Sequence, residues 1–313
     1  MIARIVGALG LALTLGAGSA NALEVINDPN FIRPLTSSTN KWVTPAQPGG
    51  YDTVVLGDSQ SSGQMLPIWA DDRGCQRSDF AWPEQLRKIR GLSEAQLYNA
   101  SCPGASLNSS GLHLSDLVRR TQEFNGIGAK TKHIYIQLGA NDVWGNKATS
   151  VDTNFNCLLN PMGSCTDKDV AANKVQDARA VTAAEYAKRV KPVVDYLKYY
   201  APNAKISIVS YVSTTAFGNP NVCINVLGHN QRRYAPALSA FQEALYHAQK
   251  GAAEELGLTF VDLKTLTQGH ESCTSQPWVH GIGDPHLKNL GFWWHPSAGG
   301  DHVTASHISS AGL

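Results

Sequence analysis

The stretch Asp52-Thr53-Val54-Val55-Leu56-Gly57-Asp58-Ser59-Gln60-Ser61-Ser62-Gly63 decides the fold of this chain. Its first half is short, apolar and β-branched and stops at Gly57, the pattern of a buried strand. Its second half is a turn of small polar residues around a serine. In open parallel sheets ligands bind beyond the carboxyl ends of the strands. A strand ending in this turn therefore carries the Ser59 hydroxyl to a place where it can meet a substrate. A helix starting there adds free N–H groups and a dipole that favour a developing oxyanion. The plainer alternative is an ordinary turn in which Asp or Ser caps a helix.

Working outward, four more strands are predicted at Gln96–Asn99, His133–Leu138, Lys205–Val212 and Leu258–Leu263. Helical patterns separate them: Pro83–Ile89, Ser115–Phe124, Ala171–Tyr200, Tyr234–Leu256 and a tail at Ser297–Ser309. Pro83 suits a first helical turn and Gly257 a helix end. Strands alternating with helices of this length imply an α/β fold, a parallel sheet with helices on both faces. Residues 145–165 and 268–294 read as long loops, which in a compact domain carry function or are stapled. Without an internal repeat or linker, residues 23–313 are expected to form a single domain.

The chain has 313 residues, a formal net charge of +1, 42% hydrophobic and 16% charged residues. This balance gives no electrostatic case for nucleic acid and no polybasic membrane anchor. Residues 1–22 read as a secretory signal peptide: Arg4, an apolar run from Ile5 to Leu15 too short to span a bilayer, and the cleavage pattern Ala20-Asn21-Ala22. No later segment is long and apolar enough for a transmembrane helix. Export makes the six cysteines (75, 102, 157, 165, 223 and 273) a disulfide set. Six allow fifteen pairings, and sequence does not choose among them. A sequential pattern is the simplest, because each bridge closes a local loop. No C-x-x-C pair exists, and no metal site is expected.

Three further blocks carry chemistry. Leu138-Gly139-Ala140-Asn141-Asp142 follows the third strand, where Asn141 offers an uncharged NH₂ donor to an oxyanion. Its alternative is a turn in which Asn and Asp bond their own backbone. Asn99-Ala100-Ser101-Cys102-Pro103-Gly104 follows the second strand, and the Gly104 N–H is a candidate donor. Trp294-His295-Pro296 lies near the C-terminus, and histidine is the usual general base at neutral pH. Trp144, Phe292, Trp293 and Trp294 flank these blocks, either lining an acyl or sugar pocket or filling core. Asp284-Pro285-His286 reads as a polar loop rather than a metal pair. No phosphate loop or nucleotide fingerprint appears, so no cofactor is expected.

The four blocks in this order resemble the SGNH (GDSL-like) hydrolase family. Ser59, Gly104, Asn141 and His295 occupy its four named positions across most of the chain. The resemblance implies a flavodoxin-like three-layer α/β/α fold with a central parallel sheet of about five strands in the order 2-1-3-4-5. It implies an oxyanion hole from the N–H groups of Ser59 and Gly104 and the Asn141 side chain. The family usually carries Asp three residues before the histidine; here Phe292 stands there. Three readings are open: the Phe292 carbonyl orients His295, Asp284 or Asp301 replaces the missing carboxylate, or the site is impaired. The first is favoured, because the secreted actinobacterial branch, similar in its Gly269-His270-Glu271-Ser272-Cys273 segment, includes members with a histidine oriented by a main-chain carbonyl. That branch also implies the disulfides Cys75–Cys102, Cys157–Cys165 and Cys223–Cys273. The expected activity is a secreted esterase or lipase that forms an acyl-enzyme on a small-molecule, lipid or glycan ester, as a monomer. The rivals are an acyltransferase on the same scaffold and a non-catalytic cell-envelope binding protein.

Overall fold

A computed structural model describes residues 49–123, 125–160 and 165–313. The expected leader at 1–22 and most of the polar segment after it lie outside the described residues. In chain order the elements are β1 (Thr53–Gly57), α1 (Ser59–Ser62), β2 (Ile68–Ala70), β3 (Gln76–Ser78), α2 (Trp82–Ile89), β4 (Leu97–Asn99), α3 (Leu114–Gln122) and β5 (His133–Gln137). Then come α4 (Ser150–Asn154), a π turn at Phe155–Leu159, α5 (Asp167–Ala171), α6 (Ala183–Tyr200), β6 (Lys205–Val209), β7 (Asn221–Val226) and β8 (His229–Tyr234). The chain finishes with α7 (Pro236–Glu255), β9 (Thr259–Val261), α8 (Leu263–Leu266) and α9 (Ala298–Ser310).

Five strands form one sheet in the order β4-β1-β5-β6-β9, all parallel. Counted along the sheet's own strands, that is 2-1-3-4-5, as expected. All five residues of β1 are buried, because helices cover both faces and leave no polar side. Alternation divides the strands between two cores. Val55, Tyr135, Val209 and Val261 pack with Trp82 and Leu86 of α2 and with Ala305 and Ile308 of α9. Val54, Leu56, Ile134, Ile136 and Ile208, fully buried, face the opposite way.

The sequence reading departs from the structure in four places. The helix expected over Ala171–Tyr200 begins only at Ala183, where the Thr182 side chain caps it by accepting from the Glu185 N–H. Before it, Asn173 takes a left-handed φ of 56° and Asp177 caps a single 3-10 turn, so local caps break the Ala-rich run. Tyr234, expected to open a helix, instead ends β8, and α7 starts at Pro236. Strands β7 and β8 form an unexpected hairpin whose two turn residues, Leu227 and Gly228, both have positive φ. A second small hairpin joins β2 to β3.

The three disulfides are Cys75–Cys102, Cys157–Cys165 and Cys223–Cys273. The first ties the end of β3's approach to the loop after β4, and the third ties β7 to the turn preceding the C-terminal loop.

Candidate active site

Strand β1 ends at Gly57, and the next residue, Asp58, caps α1 by accepting from the Gln60 N–H at 2.9 Å through its carboxylate. Helix α1 has only four residues, closed by Gly63 in the left-handed region (φ 65°). A Cβ at Gly63 would collide with the backbone of Ala81, so α1 seats closely on the entry to α2. Ser59 is the first residue of α1 and half-buried. Its Oγ lies 2.7 Å from His295 Nε2.

The second ring nitrogen decides among the readings left open by Phe292. His295 Nδ1 lies 2.9 Å from the carbonyl oxygen of Trp293, not of Phe292. The expectation for Phe292 is therefore corrected by one residue. Its carbonyl is committed to the turn, accepting from the His295 backbone N–H at 3.2 Å. Trp294 takes a left-handed φ of 60°, and this turn brings the Trp293 carbonyl beneath the ring. The Phe292 side chain is exposed and meets the imidazole edge-on, with ring centres 5.1 Å apart. Neither alternative carboxylate reaches the ring: Asp284 binds His286 at 2.8 Å, and Asp301 is fully buried in the first turn of α9. Burial pushes the His295 pKa down to about 4, only partly opposed by the Trp293 carbonyl.

Around this pair lies a network that the sequence reading missed. Tyr211 donates to Asp58 Oδ2 at 2.6 Å and accepts from the Ala140 N–H at 3.1 Å. Asn141 donates to the Ala105 carbonyl at 3.1 Å and approaches Asp58 Oδ2 at 3.4 Å, while its Oδ1 accepts from Ser150 at 2.8 Å. Burial raises the Asp58 pKa to about 7 against the Tyr211 hydrogen bond. Gln60 donates to the Trp294 carbonyl at 2.9 Å, tying the helix that carries Ser59 to the turn before His295. Asp142, fully buried, accepts from the N–H groups of Leu107 and Asn108 and from the Ser109 hydroxyl, which joins the second and third blocks. No sequence signal marks Tyr211 or Gln60: Gln60 sits just past the end of the first predicted strand, and Tyr211 falls inside the strand predicted over Lys205–Val212, which the structure ends at Val209.

Ser59, Asn141 and His295 line one open cleft. Leu238, Phe241 and Leu245 line it from α7 at helical spacing, together with Trp293 and Trp294. Trp144 is not part of it: its ring is fully buried, donates to the Gly139 carbonyl and sits under Arg189. Gly104 does not line the cleft. It lies beside it on the loop after β4, with φ 78°, and its neighbour Cys102 donates to the Gly57 carbonyl at 3.0 Å. The N–H groups of Ser59 and Gly104 make no hydrogen bond among the described residues. The arrangement can transfer a proton from a hydroxyl to a neutral imidazole beside unengaged donors, which suits acyl transfer.

The family described as GDSL-like Lipase/Acylhydrolase matches residues 55–303. The chain is 28% identical over 299 residues to Lipase 1 of Streptomyces coelicolor, spanning 95% of this chain and 94% of that protein. It is 26% identical to a lipase of Streptomyces rimosus, spanning 80% of this chain and 82% of the relative. In structure it resembles the extracellular lipase of Streptomyces rimosus, with a TM-score of 0.58 and 22% identity over 84% of this chain and all of that one. That likeness shows the SGNH fold. The chain belongs to the GDSL-like lipase/acylhydrolase family and is a carboxylester hydrolase.

Proposed function

We propose that the protein is a secreted serine esterase or lipase working through a Ser59–His295 pair without a carboxylate. The observation that carries this reading is the 2.7 Å contact between Ser59 Oγ and His295 Nε2 at the mouth of a partly apolar cleft. Neutral His295 takes the Ser59 proton as Oγ attacks the ester carbonyl, giving a tetrahedral oxyanion. The N–H groups of Ser59 and Gly104 and the Asn141 amide are its donors; Asn141 must exchange its bond to Ala105 for the oxyanion. The imidazolium returns the proton to the leaving alcohol, and an acyl-Ser59 remains. Water then attacks, gives its proton to His295 and releases the acid. The Trp293 carbonyl holds the tautomer with the proton on Nδ1, leaving Nε2 as acceptor.

The apolar face of α7 and the cleft tryptophans suit an acyl chain. The homologous lipases of Streptomyces support a lipid or other acyl ester as substrate. Secretion is supported by the leader pattern at 1–22 and by three disulfides, which persist in oxidising compartments. Residues 23–313 then act as one catalytic unit. No described helix is long and apolar enough to cross a membrane. The test is hydrolysis of p-nitrophenyl esters from acetate to palmitate. Turnover that disappears in Ser59→Ala supports the reading, and turnover unchanged in that variant overturns it.

A further inference from the structure

The cleft holds a cation that the reaction does not use. Lys264, in the short helix α8, is 4% exposed and lines the same cleft as Ser59 and His295. Its Nζ donates to the Thr215 carbonyl at 2.8 Å and lies 4.7 Å from the centre of the Phe217 ring. Among the described residues no carboxylate lies within ion-pair distance of it. Glu243, Glu271 and Asp262 are near enough to act through their fields, yet each is engaged elsewhere. Glu271 accepts from Ser213 at 2.7 Å, Asp262 from Tyr246 at 2.7 Å, and Glu243 from the Gly218 N–H.

A buried ammonium without a carboxylate partner is costly, and proteins keep one where something compensates it. The carbonyl and the ring compensate part of the charge, and among the described residues two of the three N–H donors have no acceptor. Burial also pulls the Lys264 pKa below its usual value, opposed by the three carboxylates. The neighbours in the cleft are polar in kind. Thr214 makes no hydrogen bond among the described residues, and Gln242 accepts from the Thr215 hydroxyl through its oxygen at 2.6 Å, so its amide N–H groups have no partner among the described residues. A cation, a hydroxyl and an amide donor on the cleft wall that Leu238, Phe241 and Leu245 also line form a place for an anion beside an apolar strip.

We propose that Lys264, with Thr214 and Gln242, forms an anion subsite, so that the preferred ester carries a carboxylate or phosphate on the group lying along α7. This rests on Ser59 as the nucleophile, which sets where the ester bond sits. The charge has two possible sources. It is an ω-carboxylate if the acyl group occupies the α7 face, and a phosphate if the alcohol portion does.

The test compares matched pairs. One arm uses p-nitrophenyl alkanoates from butanoate to decanoate against the same esters ending in a carboxylate. The other uses a short-chain diacylglycerol against the corresponding phosphatidic acid. In one arm the charged member is expected to exceed its neutral partner in kcat/KM by about tenfold to a hundredfold, the range of a charge-assisted hydrogen bond. In Lys264→Met that ratio falls towards one. The arm that responds identifies the source of the charge. Absence of preference in both arms overturns the proposal with the wild-type protein alone, whether or not the variant folds. A ratio that survives in Lys264→Met also overturns it, and Lys264 then only braces the Thr215 turn. Binding reads the subsite without turnover: octanedioate is expected to perturb the Trp293 and Trp294 fluorescence at lower concentration than octanoate, and Lys264→Met abolishes the difference. If no ester is hydrolysed but this difference is present, the esterase reading fails and the subsite stands. Equal binding of the two acids overturns the subsite.

Discussion

The ring of His295 is oriented by one main-chain oxygen, Trp293 O at 2.9 Å, and buried enough to hold its pKa at about 4. A base with a depressed pKa is neutral, and able to take a proton, at every pH well above that value. The profile of kcat/KM, which reports the free enzyme, is therefore expected to run flat from pH 8 to about pH 5 and to fall about tenfold per unit below 4. An acid limb centred near 6.5, where an ordinary histidine titrates, contradicts the burial argument. A break near 7 points instead to Asp58, whose pKa is raised to about 7, and Asp58→Asn removes it if so. This part of the site was only half legible in sequence. Gly57-Asp58-Ser59 and His295 announce themselves by residue type and order. Which carbonyl faces a ring depends on the backbone turn at Trp294, and the carbonyl carries no side-chain signature.

Helix α7 sets the walls of the cleft. Leu238, Phe241 and Leu245 repeat at three- and four-residue steps, so one face of one helix lines the cleft. Phe241→Trp narrows this face and is expected to shift the preferred p-nitrophenyl ester towards shorter acyl chains, with KM for long esters rising more than kcat falls. An unaltered chain-length profile would place the acyl group elsewhere. The existence of α7 was readable from its apolar period and from Gly257 at its end, but its start was misplaced because Tyr234 belongs to β8. That hairpin was hidden by composition: β8 reads His229-Asn230-Gln231-Arg232-Arg233-Tyr234, almost wholly exposed, without the apolar alternation that marks a half-buried strand.

At the scale of the molecule, the central sheet is regular while the histidine arrives on a loop with little secondary structure of its own. Backbone pairs hold that loop: His280 N–H to His295 O at 2.8 Å, Trp294 N–H to His280 O at 2.9 Å, and Phe292 N–H to Gln64 O at 2.7 Å. The β7–β8 hairpin braces it through Leu227 and Ile282, and Cys223–Cys273 fastens the hairpin across a separation of 50 residues. Closing a loop of that length stabilises by about 4 kcal/mol in the chain-entropy account. Replacing both cysteines by Ala is therefore expected to lower the urea midpoint and to reduce kcat more than it raises KM. Unchanged stability would show that the hairpin and loop hold without the bridge. The strands themselves were legible from short apolar runs with turn residues at their ends, whereas their order came only from the resemblance to the SGNH family. The bracing was not legible, because it is built from main-chain pairs between segments far apart in sequence.

The central claim is that Ser59 is the nucleophile and that His295 activates it. The direct measurement is reaction with a fluorophosphonate probe at pH 7, followed by mass-spectrometric mapping of the adduct. A single adduct on Ser59, absent in Ser59→Ala and formed at least about a hundredfold more slowly in His295→Ala, is the predicted result. An adduct on another residue, or equal labelling of the wild type and His295→Ala, contradicts the account.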